Sequence, residues 1–453
     1  MEKKNKMEQM AMGRLVADMS LPMMLSLLIQ SLYNIVDSIF VARLSEQALT
    51  ATSLAYPVQM LMISIGVGSA VGLNAVLSKA LGAKKEKEAS AIATTGVLIA
   101  FAWGLVFSVL GLVLAGTLAH AFTGDAEIAE QCREYLWICM VFSLGNMVCM
   151  TYQRLMQATG KTVLSMVILV CGAVTNLVLD PILIFGLAGC PALGIRGAAI
   201  ATVLGQWVSM AVGFALQERC NRAVRVSLKG FRMEMHTVGA IYKIGLPTIV
   251  TQAMQSMMVT CFNAILQPFS TTAVAFFGVY YKLQTFLFMP MNGLGQAAIP
   301  IVGFNYGAGN TRRIREACRV IYPAAVLIAL AGTALFAGIP GALLGLFSAG
   351  EEMLSLGIPA IRILAPTFAF AAVTMVSGYI ASGLQDGWTN MIGAAIRQFV
   401  PLIPCAYLLA SRAGVGRIWY AFWIAELCGV LFAVVRMRAL LRRAGVSRIS
   451  RGE

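Results

Sequence analysis

The chain has 453 residues, of which 59% are hydrophobic and only 12% are charged, and its formal net charge is +14. A soluble domain carries about 25% charged residues, so this composition excludes an ordinary soluble enzyme or binding domain. Apolar stretches of about 20 residues, the length that crosses a bilayer as a helix, recur along the whole sequence. We therefore predict an all-α polytopic membrane protein.

Twelve apolar segments stand out in chain order. We predict transmembrane helices at 17–41, 53–77, 91–119, 135–157, 163–186, 197–217, 242–266, 274–300, 320–342, 358–383, 390–410 and 418–440. The basic N-terminal stretch runs into the first of these, which is too long for a signal peptide and lacks an A-x-A cleavage site. We interpret it as a retained first helix.

The lysines and arginines sort between the two sides of the predicted membrane. Most of the 34 lie in the N-terminal tail, in the loops after helices 2, 4, 6 and 8, or in the C-terminal tail. The opposite loops carry Arg43, Arg133, Arg196, Arg412 and Arg417. Because cytoplasmic loops collect Lys and Arg, we predict a multi-pass protein of the plasma or inner membrane with both termini cytoplasmic. Basic loops that face anionic lipid explain the net charge without a nucleic-acid partner.

Metal centres and disulfide frameworks find little support in the sequence. The ten cysteines are scattered without a C-x-x-C pair, and most fall in apolar runs, which favours small packed residues. The two histidines, His120 and His236, lie near predicted loops, so we expect no histidine-based metal site. We expect no cofactor.

The second half of the chain repeats the first at an offset of 225 residues. Matches at this offset include Leu21–Pro22 with Leu246–Pro247, Gln30–Ser31 with Gln255–Ser256, Gly68 with Gly293, and Gly82–Ala83 with Gly307–Ala308. We predict two six-helix bundles, in lobes 1–220 and 242–453, joined by a cytoplasmic linker at 221–241. An even number of spans predicts a pseudo-two-fold axis along the membrane normal. Parallel repeats are a transporter architecture, and bundles duplicated for structure alone are the alternative.

Two carboxylates stand inside predicted spans of the first lobe, Asp37 in span 1 and Asp180 in span 5. A charge at the centre of a membrane helix costs about 2.5–3.5 kcal/mol on insertion scales. Such a pair is expected to face a cavity and handle an ion or a proton, with a buried hydrogen-bonded network as the alternative. Asn176, four residues before Asp180, shares its helix face. Thr202 adds a hydroxyl in span 6, although such a threonine often bonds its own helix.

Span 1 also carries a polar stripe and a proline. Gln30, Asn34 and Asp37 fall on one helix face, and Tyr33 lies on an adjoining strip. Pro22 permits a kink, because an interior proline removes a backbone hydrogen bond. A kinkable helix with a titratable carboxylate suits a moving part; a static bend or a helix start is the alternative.

The second half lacks an acid where the first half has one. Phe262 corresponds to Asp37, and Tyr407 falls near the equivalent of Asp180. We therefore expect the titratable chemistry in the first lobe. The candidates for a substrate cavity in the second lobe are Gln252, Gln255, Asn263, Lys282 and Arg397. The two basic side chains among them could instead cap backbone carbonyls.

In order and spacing, these segments resemble the multidrug and toxic compound extrusion (MATE) family over nearly the whole chain. The resemblance rests on LP at 21–22 and 246–247, YNIVDSIFVARL at 33–44, TNLVLDPILIFG at 175–186, GIRGAAIATVLGQ at 194–206 and RQFVPLIP at 397–404. It implies a membrane transporter rather than an enzyme, which exports organic cations in exchange for Na⁺ or H⁺.

The resemblance also implies an ion site in the first lobe. In prokaryotic relatives the acid of span 1 and the Asn-x-x-x-Asp of span 5 bind the coupling ion. These match Asp37, Asn176 and Asp180, and the span 6 threonine of the family matches Thr202.

Other family features fall on span 1 and on the second lobe. Tyr33 and Pro22 match a tyrosine and a proline of the family's first helix, and we group Gln30 and Asn34 with them as coupling residues. Some members carry acids in spans 7 and 10. Here Gln255 stands at the first of these positions, and span 10 has no acid in its middle, so an ion site in the second lobe is not expected.

Together these features predict a monomeric antiporter that exports cationic or aromatic compounds by rocking its two lobes. Its expected partners are small organic cations, Na⁺ or H⁺, and membrane lipids. One alternative is a flippase for lipid-linked precursors, which Lys282 and Arg397 leave open. The other is an intramembrane aspartyl protease using Asp37 and Asp180, for which the G-x-G-D motif is absent.

Overall fold

The computed structural model describes residues 6–227, 231–347 and 350–446. Lys3, Lys4, Lys229, Arg448 and Arg451, which contribute to the predicted basic side, lie outside the described residues, as does 228–230 of the predicted linker. Across the described residues the chain is helical, without a β-strand.

The α-helices follow one another along the chain with short connections. They are α1 Lys6–Gln9, α2 Met12–Leu44, α3 Glu46–Gly82, α4 Glu86–Phe122, α5 Ala126–Val141, α6 Leu144–Ala158, α7 Thr162–Phe185, α8 Ile195–Cys220, α9 Met235–Leu266, α10 Thr271–Gly307, α11 Thr311–Gly338, α12 Pro340–Gly345, α13 Glu351–Leu364, α14 Phe368–Gly383, α15 Gly387–Gln398, α16 Leu402–Ala413 and α17 Tyr420–Arg443. Short 3₁₀ turns lie at Leu187–Gly189, Ala365–Thr367 and Val415–Arg417.

The predicted membrane helices are present. Ten helical segments of the described chain are long and apolar enough to cross a membrane, and α5 with α6 forms an eleventh as a bent pair. The remaining long helix is α17, which completes two sets of six. The fold class, an all-α membrane protein of twelve spans in two bundles, is confirmed.

Three predicted spans are interrupted, which the sequence pattern did not predict. Span 4 bends by 48° between α5 and α6, and span 10 contains a 3₁₀ turn at Ala365–Thr367. Span 11 stops at Gln398 and resumes at Leu402. Pro401 has no N–H for the carbonyl of Arg397, so the helical ladder cannot continue there.

The internal repeat is visible in how the equivalent helices α3 and α10 begin. Both α3 and α10 contain 37 residues. Ser45 begins α3 by accepting the backbone N–H of Ala48 at 3.0 Å, and Ser270 begins α10 by accepting that of Ala273 at 3.1 Å. A serine in this position satisfies one of the free N–H groups of the first turn. Ser45 and Ser270 are themselves separated by the offset of the repeat.

Backbone contacts divide the chain into two compact units. The N unit is Leu25–Gly245, and the C unit comprises Met1–Met24 with Leu246–Glu453. Two helices, α2 and α9, each contribute to both units. The predicted division into 1–220, 221–241 and 242–453 follows the sequence repeat rather than these contacts, and it remains a prediction.

Glycines allow the first half of α9 to pack closely on α3, and the first half of α2 to pack closely on α10. In the N unit, a Cβ on Gly72 would clash with the carbonyl oxygen of Ile241, so α9 lies directly on the backbone of α3. In the C unit, a Cβ on Gly293 would lie 2.8 Å from the Cα of Met24. Small residues at such contacts let membrane helices approach each other and gain van der Waals contact.

We predict that Gly72→Ala destabilises the protein by about 1–3 kcal/mol, because the added methyl group overpacks a backbone contact. Thermal unfolding of the purified protein in detergent measures this. Gly239→Ala is the matched control, since a Cβ on Gly239 of α9 meets nothing within 4 Å. Equal melting temperatures for the two variants would contradict the close packing.

Candidate functional site

Close packing of α7 on α8 positions the polar residues of the candidate site. A Cβ on Gly205 of α8 would lie 2.7 Å from the carbonyl oxygen of Gly172 of α7. Gly172 is one turn before Asn176, and Gly205 is one turn after Thr202. The two glycines therefore bring these polar side chains together, and both side chains belong to the N unit.

Asn176 links the predicted residues of α7 and α8. Its Nδ2 donates to Oδ1 of Asp180 at 3.3 Å and to Oγ1 of Thr202 at 3.4 Å. Asp37 of α2 lies with its carboxyl within hydrogen-bonding reach of the Asp180 carboxyl. The structure thus brings all four predicted ion-site residues into one cluster.

The cluster is rich in oxygen acceptors. Asp180 is fully buried, and its Oδ2 has no hydrogen-bond partner in the described part of the chain; the same holds for Oδ1 of Asp37. Two carboxylates at this separation repel each other unless a proton or a cation neutralises one of them. Carboxylate and amide oxygens are also the ligands of hard cations. The arrangement can therefore exchange one positive charge.

A second layer of polar residues was not predicted from the sequence. Gln59 of α3 donates to the Tyr135 hydroxyl at 3.3 Å and to Sγ of Cys139 at 3.7 Å. Tyr135 is buried and lies close enough to Asp37 and Asp180 to feel their charge. The sequence offered two signals for this layer: Gln59 is a lone amide in an apolar span, and Tyr135 lies four residues before Cys139.

The predicted coupling residues of α2 divide along the helix. Tyr33 lies close enough to Asp37 to feel its charge, Gln30 is half-buried, and Asn34 is exposed. Pro22 belongs to the C unit. Pro22 and Asp37 both lie in α2. The role of Pro22 as a hinge is a prediction.

The predicted cavity residues all belong to the C unit and have different environments. Gln255 and Lys282 are exposed, and Gln252 and Asn263 are half-buried. Arg397 is engaged in an ion pair with a glutamate of α17, at an N–O distance of 3.2 Å. Their grouping around a substrate remains a prediction.

A comparison with protein families decides the class of the molecule. The MatE family profile matches residues 22–182 and again 247–408, once in each half of the chain. This chain belongs to the MATE family. It is therefore a membrane transporter rather than an enzyme, as the resemblance implied.

Relatives of this MATE chain agree along its whole length. The multidrug export protein MepA of Staphylococcus haemolyticus (strain JCSC1435) is 24% identical over 448 residues, which cover 98% of this chain and 97% of that protein. MepA of Staphylococcus aureus (strain NCTC 8325 / PS 47) is 25% identical over 433 residues, with 94% of each protein covered.

Solved structures share the MATE fold. A MATE transporter in complex with MaD5 matches with a TM-score of 0.91 and 22% identity, over 98% of this chain and 99% of that one. A MOP superfamily transporter from Pyrococcus furiosus Vc1 (DSM3638) matches with a TM-score of 0.90, 22% identity and the same coverage. Its binding pocket is described as having reverse polarity, which suggests a different function for that protein.

We predict that Thr202→Val destabilises the protein by about 1–3 kcal/mol, because one N–H of the buried Asn176 amide loses its acceptor. Thr175→Val is the matched control, since Oγ1 of Thr175 donates to the carbonyl of Cys171 in its own helix, at 2.7 Å. Thermal unfolding of both purified variants tests this. An equal loss of stability would show that the Asn176–Thr202 contact is unimportant.

Proposed function

We propose that this MATE transporter is a secondary antiporter that exports cationic or aromatic compounds in exchange for Na⁺ or H⁺. The observation that supports the exchange is the approach of Asp37 to Asp180 inside an apolar bundle. A transporter that holds two adjacent buried carboxylates has a place where one positive charge can enter or leave. Asn176 and Thr202 supply the remaining polar atoms of this place.

In the proposed cycle, the ion enters while the site is open to the outside. It neutralises one carboxylate and allows Asp37 and Asp180 to stay together. Loss of the ion restores two negative charges, which separate and shift α2 relative to α7. The ion therefore has a different affinity for the two arrangements, which is the requirement for any ligand that changes a conformational equilibrium.

The proposed substrate class rests on the relatives. The staphylococcal proteins that match over nearly the whole chain are named as multidrug export proteins. We propose that this chain likewise exports small organic compounds from the cytoplasm, as a monomer in the plasma or inner membrane with both termini cytoplasmic. The flippase alternative needs free cationic side chains, and Arg397 is paired with a carboxylate, which leaves this alternative with the exposed Lys282 alone of its two candidates.

We predict that Asp37→Asn and Asp180→Asn each reduce export of a fluorescent cation such as ethidium from proteoliposomes to the level of empty liposomes. Each change leaves a single carboxylate, so the repulsion between two negative charges, which an exchanged ion relieves in the proposed cycle, is absent. Initial export rates with an imposed Na⁺ gradient and, separately, an imposed pH gradient measure the effect. The effective gradient identifies the coupling ion.

Asp125→Asn is the matched control for these variants. Asp125 caps α5 by accepting the backbone N–H groups of Glu127 and Ile128, and asparagine caps a helix equally well. We expect this variant to export at the rate of the unmodified protein. Unimpaired export by Asp37→Asn would refute the proposed role of the carboxylates.

A further inference from the structure

The C unit contains a buried acid that has no counterpart in the first half of the chain. Glu426 lies in α17, within the apolar run YAFWIAELCGVLF, and is only 7% exposed. The expectation of no ion chemistry in the second lobe came from the positions equivalent to Asp37 and Asp180 and from the family's acid positions in spans 7 and 10. Glu426, in span 12, is at none of these positions. Acidic residues inside membrane helices are costly and commonly belong to functional sites.

Only one side of the Glu426 carboxylate is paired. Nε of Arg397 lies 3.2 Å from Oε1, whereas Oε2 is buried without a hydrogen-bond partner in the described part of the chain. The hydroxyl of Tyr280 is also buried without a hydrogen-bond partner in the described part of the chain. It lies close enough to Glu426 and Arg397 to interact electrostatically with both. The cluster thus offers one free acceptor and one free hydroxyl beside an ion pair.

The cluster lies at the interruption of span 11. Arg397 is the penultimate residue of α15, and its carbonyl has no N–H partner at Pro401. The N–H of Val400 instead bonds the carbonyl of Ala395 at 3.1 Å. Interrupted helices inside transporters expose backbone polar groups at ion and substrate sites. The break is an observation independent of the half-paired carboxylate.

A second ion pair joins α17 to the start of α15, between Arg436 and Asp386, and both carboxylate oxygens of this pair have partners. Oδ2 of Asp386 accepts from Arg436 at 2.9 Å and from Oγ1 of Thr389 at 3.0 Å. Oδ1 of Asp386 accepts the backbone N–H of Thr389 at 3.3 Å. Both oxygens are used, as expected of a structural pair. The free Oε2 of Glu426 therefore needs a different explanation.

Among the residues that the structure describes, Arg397 of α15 and Tyr280 of α10 are the charged or titratable groups that interact electrostatically with Glu426. α14 approaches this part of α17 with Thr374, which does not titrate, next to Gly429. α13 contributes the carbonyl of Ile363, which accepts the indole N–H of Trp423 at 2.7 Å.

We propose that Glu426 is a proton-binding site of the C unit, distinct from the Asp37–Asp180 cluster. A proton from water adds to Oε2, the carboxyl becomes neutral, and the guanidinium of Arg397 is released from its charge partner. A proton suits this site better than Na⁺, because a proton needs only the one free carboxylate oxygen, whereas a hard cation needs several oxygen ligands. The proposal does not depend on the antiport mechanism.

Infrared difference spectroscopy of the purified protein during a pH titration tests the proposal, because a buried protonated carboxyl has its own C=O stretching band. We expect the double variant Asp37→Asn/Asp180→Asn, which lacks the carboxyls of the other cluster, to show a titrating band that is lost when Glu426→Gln is added. Asp386→Asn added to the same double variant is the matched control and should retain the band. No titrating band in the double variant, or a band unchanged by the addition of Glu426→Gln, would overturn the proposal.

Arg397→Gln gives a second readout that also serves if Glu426→Gln fails to fold. Loss of the adjacent positive charge favours the neutral carboxyl, so the midpoint of the band should move to higher pH. A midpoint that stays in place would show that the titrating group is not the partner of Arg397. Export measurements enter neither test, so a failure of the antiport proposal would leave this one intact.

Discussion

The approach of two acidic side chains within an apolar bundle is the constraint on which the N unit depends. Asp180 is fully buried, and Asp37 stands within hydrogen-bonding reach of it. The two carboxylates are not stable together when both are charged, because like charges repel strongly in a largely apolar surrounding. The cluster therefore requires a neutralising partner, and in the proposed antiport cycle that partner is the ion whose gradient drives export.

The scaffold around this cluster is duplicated, but its chemistry is not. Equivalent serines begin α3 and α10, and equivalent stretches of these helices pack against the first halves of α9 and α2. In the N unit, the buried polar groups are carboxylates, an amide and a hydroxyl that lie on α2, α7 and α8. In the C unit, the buried acid is Glu426 of α17, which pairs with Arg397 near the interruption of span 11. Divergence after duplication has therefore given each bundle its own buried charges.

Much of this architecture could be predicted from the sequence, because helix length and apolar composition are local properties. The twelve spans, the repeat and the shared helix face of Asn176 and Asp180 followed from spacing, and the cost of buried charge singled out Asp37 and Asp180. The resemblance to the MATE family implied that Asp37, Asn176 and Asp180 form one site. The second layer around Tyr135 did not, since contacts between Gln59 and Tyr135 join residues far apart in the chain. The interruption of span 11 was missed although Pro401 signals it. Glu426 was missed because the two halves were compared only at positions equivalent to known acids, and Glu426 has no acidic counterpart in the first half.

The central claim is that Asp37 and Asp180 together hold one exchangeable positive charge. Its most direct test is to add an organic cation to the purified protein in weakly buffered detergent solution and count the protons and sodium ions released per molecule. The account predicts release of one such ion from the unmodified protein and none from Asp37→Asn/Asp180→Asn. Equal release from both proteins would place the exchange elsewhere and contradict it.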